Sequence, residues 1–395
     1  MKNRWTAYLA GYCILLALLS GSCYRGTRPS GLEIVAPTPR SGPIVWRHFS
    51  TRNDPVKTMT MDGDNLWMGT SKGMIRFNTQ PVQDETGNYA LEFETYSPRS
   101  TGGGITSRGI YVIAVDPNGH KWVGTYGGGL SRYDGAAWKV FTSADGLGDN
   151  WIYDIVFDES NTMWVATWSG VSVFDGTRFK TYTVADGLAD KWVYSMALDR
   201  EGIFWFGTEA GVSRFDRKTS QWKTYTHQDG LGADVAPDET TAALFPKGTT
   251  PHSSGEGESA YGSSAGRHHM DLEKQNIGPN PNFIISALVD RQDRKWFGTW
   301  GGGLTRYDGT TWTTYTKEQG LGGNFILALT LDPDGRIWAG TEGGASWFDG
   351  ANWHTINAAD GLPSDFVFSI LFDDLGHRWF GTLNGLSVFR GQLPA

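Results

Sequence analysis

The chain has 395 residues, with 34 Lys and Arg against 42 Asp and Glu, and a formal net charge of −8. An acidic chain without basic runs argues against nucleic acid, or an anionic membrane surface, as its partner. One of its two cysteines lies within the first 22 residues, a predicted signal peptide, so no disulfide framework is expected in the mature protein.

Residues 1–22 are predicted to be a signal peptide. A positively charged start precedes the apolar segment Ala7–Leu19, which is too short to span a membrane as a helix. Small residues then precede Cys23, which resembles the lipid-modified cysteine of bacterial lipoproteins. The same residues also suit ordinary signal peptidase. We expect lipidation at Cys23 and a linker over residues 23–42.

The phrase W-x-[GA]-T occurs seven times in the chain. Its tryptophans are 55, 42, 41, 91, 42 and 41 residues apart, so a period of 41–42 residues is interrupted twice. A self-similar unit of this length is typical of a repeat architecture. We therefore expect packing roles, rather than a site, for Trp67, Trp122, Trp164, Trp205, Trp296, Trp338 and Trp379.

Residues 322–353 show how one unit is built. Short β-branched and aromatic runs alternate with turns of Asp, Gly and Pro, as in consecutive hairpins. The unit divides into four antiparallel strands, with the tryptophan on the second, which is typical of one propeller blade. Seven units predict an all-β fold, a seven-bladed β-propeller of four-stranded antiparallel blades over residues 43–392.

The last repeat indicates how the ring closes. It supplies only three strands, and the W-x-x-[YF]-[ST] strand of other repeats, such as Trp138–Thr142, does not follow it. A matching segment, Trp46–Ser50, stands before the first repeat instead. We expect this N-terminal strand to complete the last blade and to leave no open sheet edge.

Two insertions interrupt the period. The shorter one, Asn78–Leu91, is predicted to lengthen a hairpin of the first blade. The longer one, residues 233–281, is rich in Gly, Ser, Thr, Pro and Glu and has no apolar period. Such a composition favours a disordered loop. A lid over one face of the ring is the alternative.

The repeats share the consensus GxxWxGTxGGLxRYDGxxWxxYTxxDGL, which is best seen in Gly124–Thr142 and Gly298–Thr316. This consensus resembles the two-component regulator propeller family, whose repeats form extracytoplasmic sensor regions of many bacterial hybrid histidine kinases. The resemblance covers about 300 residues and implies a sensor-type propeller. Such sensors usually add a second propeller, an immunoglobulin-like domain, a membrane helix and a kinase. This chain has one propeller, so we expect no kinase activity.

Positions that vary among the repeats indicate a binding face. Recurring positions serve the scaffold, whereas positions that vary on one face are free for a ligand. Two varying sets are expected at the same end of the ring, after each W-x-[GA]-T phrase and before each first strand. Aromatic rings beside amides and charged groups suit a sugar or an aromatic ligand. The candidate residues are Tyr126, Trp168, Glu209, Trp300, Glu342, Arg108, Asn150, Trp151, Lys191, Trp192, Asn282, Asn324 and Asp365.

The aromatic residues of this face have alternative roles. Phe283, Phe325 and Phe366 are expected to cap the interfaces between blades. For Tyr126, Trp168 and Trp300, exposure as ligand platforms and packing within the ring are both open.

Signals for catalysis, metal or a cofactor are weak. His268 and His269 lie in the long insertion without a spaced third ligand. The sequence therefore predicts a non-enzymatic, exported binding module, periplasmic, anchored to the outer membrane, or at the cell surface. Its expected ligand is a glycan or small metabolite, bound without metal or cofactor, and its possible partner is a membrane-bound sensor or transport protein. A propeller hydrolase or lyase acting on carbohydrate-like substrates is the alternative.

Overall fold

A computed structural model of the chain describes residues 33–35, 45–51, 54–80, 82–83, 89–90, 93–235 and 279–391. The predicted signal peptide, Cys23 and most of the long insertion lie outside these residues. The predictions made for them are therefore not tested.

Each repeat forms one antiparallel sheet, and the strands are numbered in chain order. Two strands precede the first repeat, β1 (Glu33–Val35) and β2 (Val45–Ser50). Blade 1 contains β3 (Thr58–Asp62), β4 (Asn65–Gly69), β5 (Met74–Asn78) and β8 (Phe93–Tyr96), with β6 (Val82–Gln83) and β7 (Tyr89–Ala90) between the last two. Blade 2 contains β9 (Ile110–Val115), β10 (Lys121–Thr125), β11 (Leu130–Tyr133) and β12 (Trp138–Phe141). Blade 3 contains β13 (Ile152–Phe157), β14 (Met163–Thr167), β15 (Gly170–Phe174) and β16 (Phe179–Tyr182).

The other blades follow the same order. Blade 4 contains β17 (Val193–Leu198), β18 (Ile203–Thr208), β19 (Gly211–Asp216) and β20 (Gln221–Tyr225). Blade 5 contains β21 (Asn280–Val289), β22 (Lys295–Trp300), β23 (Leu304–Tyr307) and β24 (Trp312–Tyr315). Blade 6 contains β25 (Ile326–Leu331), β26 (Ile337–Thr341), β27 (Gly344–Phe348) and β28 (Trp353–Ile356). Blade 7 contains β29 (Val367–Phe372), β30 (Arg378–Thr382) and β31 (Gly385–Arg390), completed by β2. Short 3-10 helices follow the outer strands of blades 2 to 6 at Ser143–Asp145, Val184–Asp186, His227–Asp229, Lys317–Gln319 and Ala358–Asp360.

The N-terminal strand closes the ring as the sequence predicts. β2 pairs antiparallel with β31, with Trp46 opposite Phe389. The Trp46 Nε1 also donates to the carbonyl oxygen of Asp360 at 3.0 Å, which ties the strand to blade 6. The inner strands contact one another in cyclic order, β3, β9, β13, β17, β21, β25, β29 and back to β3. The seven-bladed, four-stranded propeller is therefore confirmed.

Two details extend the prediction. β1 pairs outside β2, so blade 7 has five strands, and three residues of the segment assigned to the linker belong to a sheet. β6 and β7 pair with each other as a two-stranded hairpin, with Val82 opposite Ala90. The shorter insertion is thus a lengthened hairpin, as expected.

The recurring tryptophans lie between neighbouring blades. All seven are at most 4% exposed. Trp338 of blade 6, for example, packs with Phe380 of blade 7, with ring centroids 6.2 Å apart. Each such ring removes a large apolar area from water at a blade interface, so these tryptophans hold the ring together.

In six blades the tryptophan is also hydrogen-bonded to the turn that precedes its strand. Its Nε1 donates to an aspartate Oδ2 six residues earlier, at distances from 2.8 to 3.2 Å. The aspartates are Asp116, Asp158, Asp199, Asp290, Asp332 and Asp373. Blade 1 has a shorter turn, and Trp67 Nε1 has no hydrogen-bond partner among the described residues. Lys121 lies 5.3 Å from the Trp67 ring centroid instead.

Strand direction separates two ends of each blade. Because the strands are antiparallel, the aspartate turns between first and second strands lie at one end. The turns from second to third strands, and the connections between blades, lie at the other end. The candidate residues belong to this second end.

Candidate functional site: the central channel and its mouth

A channel of about 310 Å³ runs through the centre of the ring and is lined by the inner strands of all seven blades. Every blade contributes the same part of its first strand. Residues at equivalent positions therefore form rings around the channel, and their identities determine what it can bind.

One such ring follows the buried aliphatic residue near the start of each inner strand. In blade 1 this residue is Val56, just before β3, and in blade 5 it is Ile284, within β21. In blades 2 to 7 the pairing with the second strand is irregular at this position, and a bulge of this kind re-aims a side chain. We call the seven equivalent positions the inner ring. They are Lys57, Tyr111, Tyr153, Tyr194, Ile285, Leu327 and Phe368. All except Leu327 line the channel directly, so blades 1 to 4 supply polar groups and blades 5 to 7 apolar ones.

Lys57 is the cation of the inner ring. Its Nζ lies 3.5 Å from the Tyr111 hydroxyl oxygen and 4.5 Å from the centroid of the same ring. Burial lowers the pKa of Lys57 to about 8, although Asp54 acts to raise it. The ammonium is therefore charged at neutral pH in a position where charge is poorly solvated.

The three tyrosines of the inner ring stand side by side. Tyr153 has ring centroids 5.1 Å from Tyr111 and 4.8 Å from Tyr194. Burial raises the pKa of all three hydroxyls. They stay protonated at physiological pH and can both donate and accept hydrogen bonds.

Asp154 faces the same channel one residue further along β13. Its carboxylate accepts the backbone N–H groups of Met196 and Ile155, each at 2.8 Å. Burial raises the pKa of Asp154 to about 6, while these two hydrogen bonds act to lower it. The bond to Met196 also joins blade 3 to blade 4, so Asp154 has a structural role as well as a position in the channel.

Aromatic side chains form a continuous chain from the inner ring to the mouth of the channel. The mouth is the end of the ring that carries the second-to-third-strand turns and the connections between blades. Neighbouring ring centroids in this chain are 3.6 to 6.1 Å apart. We call it the aromatic arc. It crosses blades 2 to 6 and consists of Tyr111, Tyr126, Trp151, Trp168, Tyr153, Tyr194, Phe283, Trp300 and Phe325.

Four of the predicted site residues meet in the aromatic arc. Tyr126, Trp151 and Trp300 are half-buried at the mouth. Trp168, in contrast, is only 2% exposed, and its ring stacks on Trp151 with centroids 4.6 Å apart and planes 10° apart. Of the two roles left open for Trp168, the structure shows packing within the ring, because Trp151 and Tyr153 cover its faces. Phe325 is 2% exposed, consistent with the expected packing role, whereas Phe283 and Phe366 are half-buried.

Four other candidates serve the scaffold. The side-chain oxygen of each accepts a backbone N–H at the start of a preceding 3-10 helix, at 2.7 to 2.9 Å. The oxygen thereby satisfies a donor that the helix leaves without an internal partner. The four are Asn150, Asn282, Asn324 and Asp365. Their variation between Asn and Asp preserves one acceptor, so variation at these positions does not by itself indicate a ligand-binding role.

Glu342 is also part of the scaffold. It is 7% exposed and accepts the backbone N–H groups of Asn324 at 2.8 Å and Phe325 at 3.0 Å. Burial raises the pKa of Glu342, although these hydrogen bonds act against the rise. Both oxygens are turned to their own blade, so Glu342 is not placed to orient a ligand at the mouth.

The remaining candidates stay at the mouth. Arg108 and Lys191 occupy, in blades 2 and 4, the position that holds Asn or Asp elsewhere, and both are exposed. Lys191 Nζ lies 4.6 Å from the ring centroid of half-buried Trp192. Glu209 accepts a hydrogen bond from the Tyr194 hydroxyl at 2.5 Å and so connects the mouth to the inner ring.

The inner ring was not among the sequence-predicted residues. A signal for it exists, because the residue after the first buried aliphatic of each repeat changes among Lys, Tyr, Ile, Leu and Phe. The preceding aliphatic is conserved in type, so the alternation expected along a half-buried strand would have directed the next side chain to the opposite side.

Neither metal ligation nor membrane crossing is indicated by the described residues. They contain no group of three or more His, Cys, Asp or Glu side chains that could hold a metal ion. No helix among them has both the length and the apolar character needed to cross a membrane.

Comparison with known proteins agrees with the repeats and the fold. Three segments, residues 146–169, 187–210 and 320–343, match the sequence model of the two component regulator propeller family. The predicted resemblance to this family is confirmed by these three segments. No curated protein sequence matches the chain.

Solved structures with the same propeller come from proteins of different kinds. The extracellular domain of a protein assigned as a hybrid two component system from B. thetaiotaomicron has a TM-score of 0.63 at 20% identity, over 86% of this chain and 39% of that one. A second extracellular domain from B. thetaiotaomicron, assigned to a one component system, has a TM-score of 0.56 at 17% identity, over 92% and 40%. This chain thus spans about two fifths of the length of these domains.

A propeller of enzymatic function is similar as well. A catalytically inactive variant of virginiamycin B lyase from Staphylococcus aureus, with quinupristin, has a TM-score of 0.60 at 10% identity, over 88% of this chain and all of that one. At such identities the likeness is one of fold. The chain is a seven-bladed propeller with segments that match the two component regulator propeller model, and its fold is similar to that of extracellular domains of sensor proteins.

Proposed function

We propose that this protein is an exported, non-enzymatic binding module of sensor type that takes a glycan or a small ring-bearing metabolite at the mouth of its channel. The observation that carries the proposal is the aromatic arc. Tyr126, Trp151 and Trp300 combine large apolar faces with partial exposure, and Glu209 and Lys191 stand beside them. Such a combination suits a ligand with a flat face and hydroxyl groups.

The location of the protein is part of the same proposal. The similar extracellular domains of bacterial sensor proteins support export, and the leader and Cys23 support a lipid anchor. A membrane-bound sensor or transport protein would then receive the signal of the occupied ring.

A screen of the full-length protein would test the proposal. Thermal shift against neutral sugars, sugar acids and aromatic metabolites should find a compound that raises the melting temperature. Tyr126→Ala and Trp300→Ala should each weaken that compound's binding by about 1–3 kcal/mol, roughly 5- to 150-fold, because each removes a stacking surface.

Trp312→Ala provides the matched control. Trp312 is half-buried and stacks on Tyr307 with centroids 4.3 Å apart, but it lies on the outer strand of blade 5. It should lose stability without losing affinity. Equal losses of affinity in all three variants would contradict a site at the mouth, and turnover of the bound compound would favour the hydrolase or lyase alternative.

A further inference from the structure

We infer that Lys57 makes the channel a carboxylate subsite, so that the ligand is a ring-bearing organic acid whose carboxylate meets Lys57 and whose ring lies among Tyr111, Tyr153 and Tyr194. This inference deepens the proposed function and rests on it. It narrows the ligand from any ring compound to a singly charged acid of sugar or aromatic type.

Two other lysines of the chain are buried, and both have counter-ions. Lys121 and Lys295 are each 8% exposed, and each is paired with acids. Lys121 pairs with Asp62, and Lys295 Nζ lies 3.2 Å from Asp199 and 2.7 Å from Asp293. The scaffold therefore supplies a counter-ion where it buries an ammonium for structural reasons.

Lys57 is treated differently. Its ammonium has three donors, and its only hydrogen bond among the described residues is the 3.5 Å contact with Tyr111. Asp54 acts on the Lys57 ammonium but from beyond ion-pair distance, since none of the ion pairs of the described residues includes Lys57. An incompletely paired charge in a poorly solvated position is costly, and the carboxylate of a ligand would remove much of that cost.

The channel also limits the charge and size of the ligand. Among the described residues, Lys57 is the one cation lining the channel, and Asp154 lines it two blades away. A dianion would remain half neutralised and would be repelled by Asp154, whereas a single carboxylate is matched by Lys57. A volume of about 310 Å³ lies at the small end of ligand pockets and suits one ring rather than a long chain.

The other groups that line the channel fix the orientation of the ligand's ring. The Tyr111 and Tyr153 hydroxyls, held protonated by burial, can donate to the acid or to ring substituents. The Tyr194 hydroxyl already donates to Glu209 and can accept from a ligand. Asp154 can accept from a ligand hydroxyl on the side away from Lys57. The apolar residues Ile285 and Phe368 face the ligand's ring from the half of the channel opposite the tyrosines.

Calorimetry on the full-length protein at pH 7 would test the inference with two matched pairs of probes. Galacturonate is compared with galactose, and 4-hydroxybenzoate with 4-hydroxybenzyl alcohol. At least one acid should bind ten times more tightly than its neutral partner, and the pair that shows the preference identifies a sugar or an aromatic ligand. Lys57→Met, which keeps the apolar stem, should abolish the preference. Lys223→Met, at an exposed lysine on the outer strand of blade 4, should retain it.

A second measurement separates this inference from the proposed function. Acetate has a carboxylate but no ring, and it should shift the Lys57 side-chain NMR resonance saturably in the wild type. An absent shift, or neutral rings that bind as well as their acids, would overturn the carboxylate subsite. The second of these results would leave the proposed ring-binding function intact. A saturable acetate shift with no ring compound bound would support Lys57 as an anion site and contradict the proposed function.

Discussion

The two ends of the blades use equivalent positions in opposite ways. We call the end that carries the turns between first and second strands the turn end. There, six of seven repeats place the same aspartate next to the same tryptophan, with nearly the same hydrogen bond. We call the opposite end, where the inner strands begin, the channel end. There, the inner ring changes from Lys57 through three tyrosines to apolar residues. The first end is governed by what every blade needs in order to pack. The second varies because no single side chain there is required by all blades.

Variation alone, however, does not mark a binding residue. Asn150 and Asp365 differ in type and charge but accept the same kind of backbone N–H bond. Arg108 and Lys191, at the same position in other blades, have no such oxygen and are exposed. What must be compared among repeats is therefore the hydrogen-bonding capacity of a residue, and not only its identity.

The largest expected effect concerns the turn end. Asp332→Ala should lower the free energy of unfolding by about 2–4 kcal/mol, because it leaves buried donors without an acceptor. The carboxylate of Asp332 accepts Trp338 Nε1 at 3.2 Å and backbone N–H groups of Asp334 and Arg336. Guanidinium unfolding would measure the loss.

Asp62→Ala in blade 1 is the matched control for this comparison. Asp62 lies at the corresponding turn but carries no tryptophan bond, and its side chain is 36% exposed in its pair with Lys121. Lys121 keeps its hydrogen bond to the carbonyl oxygen of Gly119, at 2.7 Å, when Asp62 is removed. The loss should therefore be about 1 kcal/mol, the upper end for a partly exposed ion pair, and smaller than that of Asp332→Ala. Similar losses in the two variants would show that the tryptophan bond is not what stabilises the turn end.

An intermediate effect is expected from Asp154 at the channel end. Its folded pKa of about 6 lies above the usual value of 3.8, so the folded state holds the proton more tightly. The stability that this provides is present below pH 4 and is lost as the pH rises through 6. Between pH 4 and 7 the wild type should lose on the order of 1–2 kcal/mol relative to Asp154→Asn.

Unfolding midpoints of both proteins across this pH range would check the sign. The difference between them removes the titration of other groups, and any constant cost of replacing one acceptor oxygen does not change the slope. Parallel curves for the two proteins would mean that Asp154 is ionised throughout, with enough water in the channel to solvate it.

The sequence predicted the fold well because the fold depends on local patterns repeated many times. The tryptophan phrase, the Asp-Gly turns and the displaced strand Trp46–Ser50 each recur at fixed offsets. β1 was not predicted, because Glu33–Val35 is three residues long and has no counterpart in other repeats. Its pairing with β2 depends on the folded edge and not on a local signal.

The site was predicted less completely because its contacts join different blades. Trp168 reads as a turn residue, and its burial follows from Trp151 and Tyr153, which reach it only once the strands pair. The role of Asn150 was accessible in principle. An Asn or Asp stands three residues after the DGL or QGL phrase of blades 2, 5 and 6, a recurrence that favours a scaffold role.

The smallest expected effect tests this distinction between scaffold and mouth. Asn324→Ala removes the acceptor for the Lys317 backbone N–H, at 2.9 Å, and should cost about 1 kcal/mol, as the loss of a helix cap does. Arg108→Ala, at the equivalent position of blade 2, should change stability by less than about 0.5 kcal/mol, because the side chain is exposed. Denaturant midpoints of the two variants provide the measurement. If Arg108→Ala proves as destabilising as Asn324→Ala, then Arg108 also belongs to the scaffold and the mouth loses one of its charged groups. If neither variant loses stability, the hydrogen bond of Asn324 is replaced by water, and the position is open to a ligand after all.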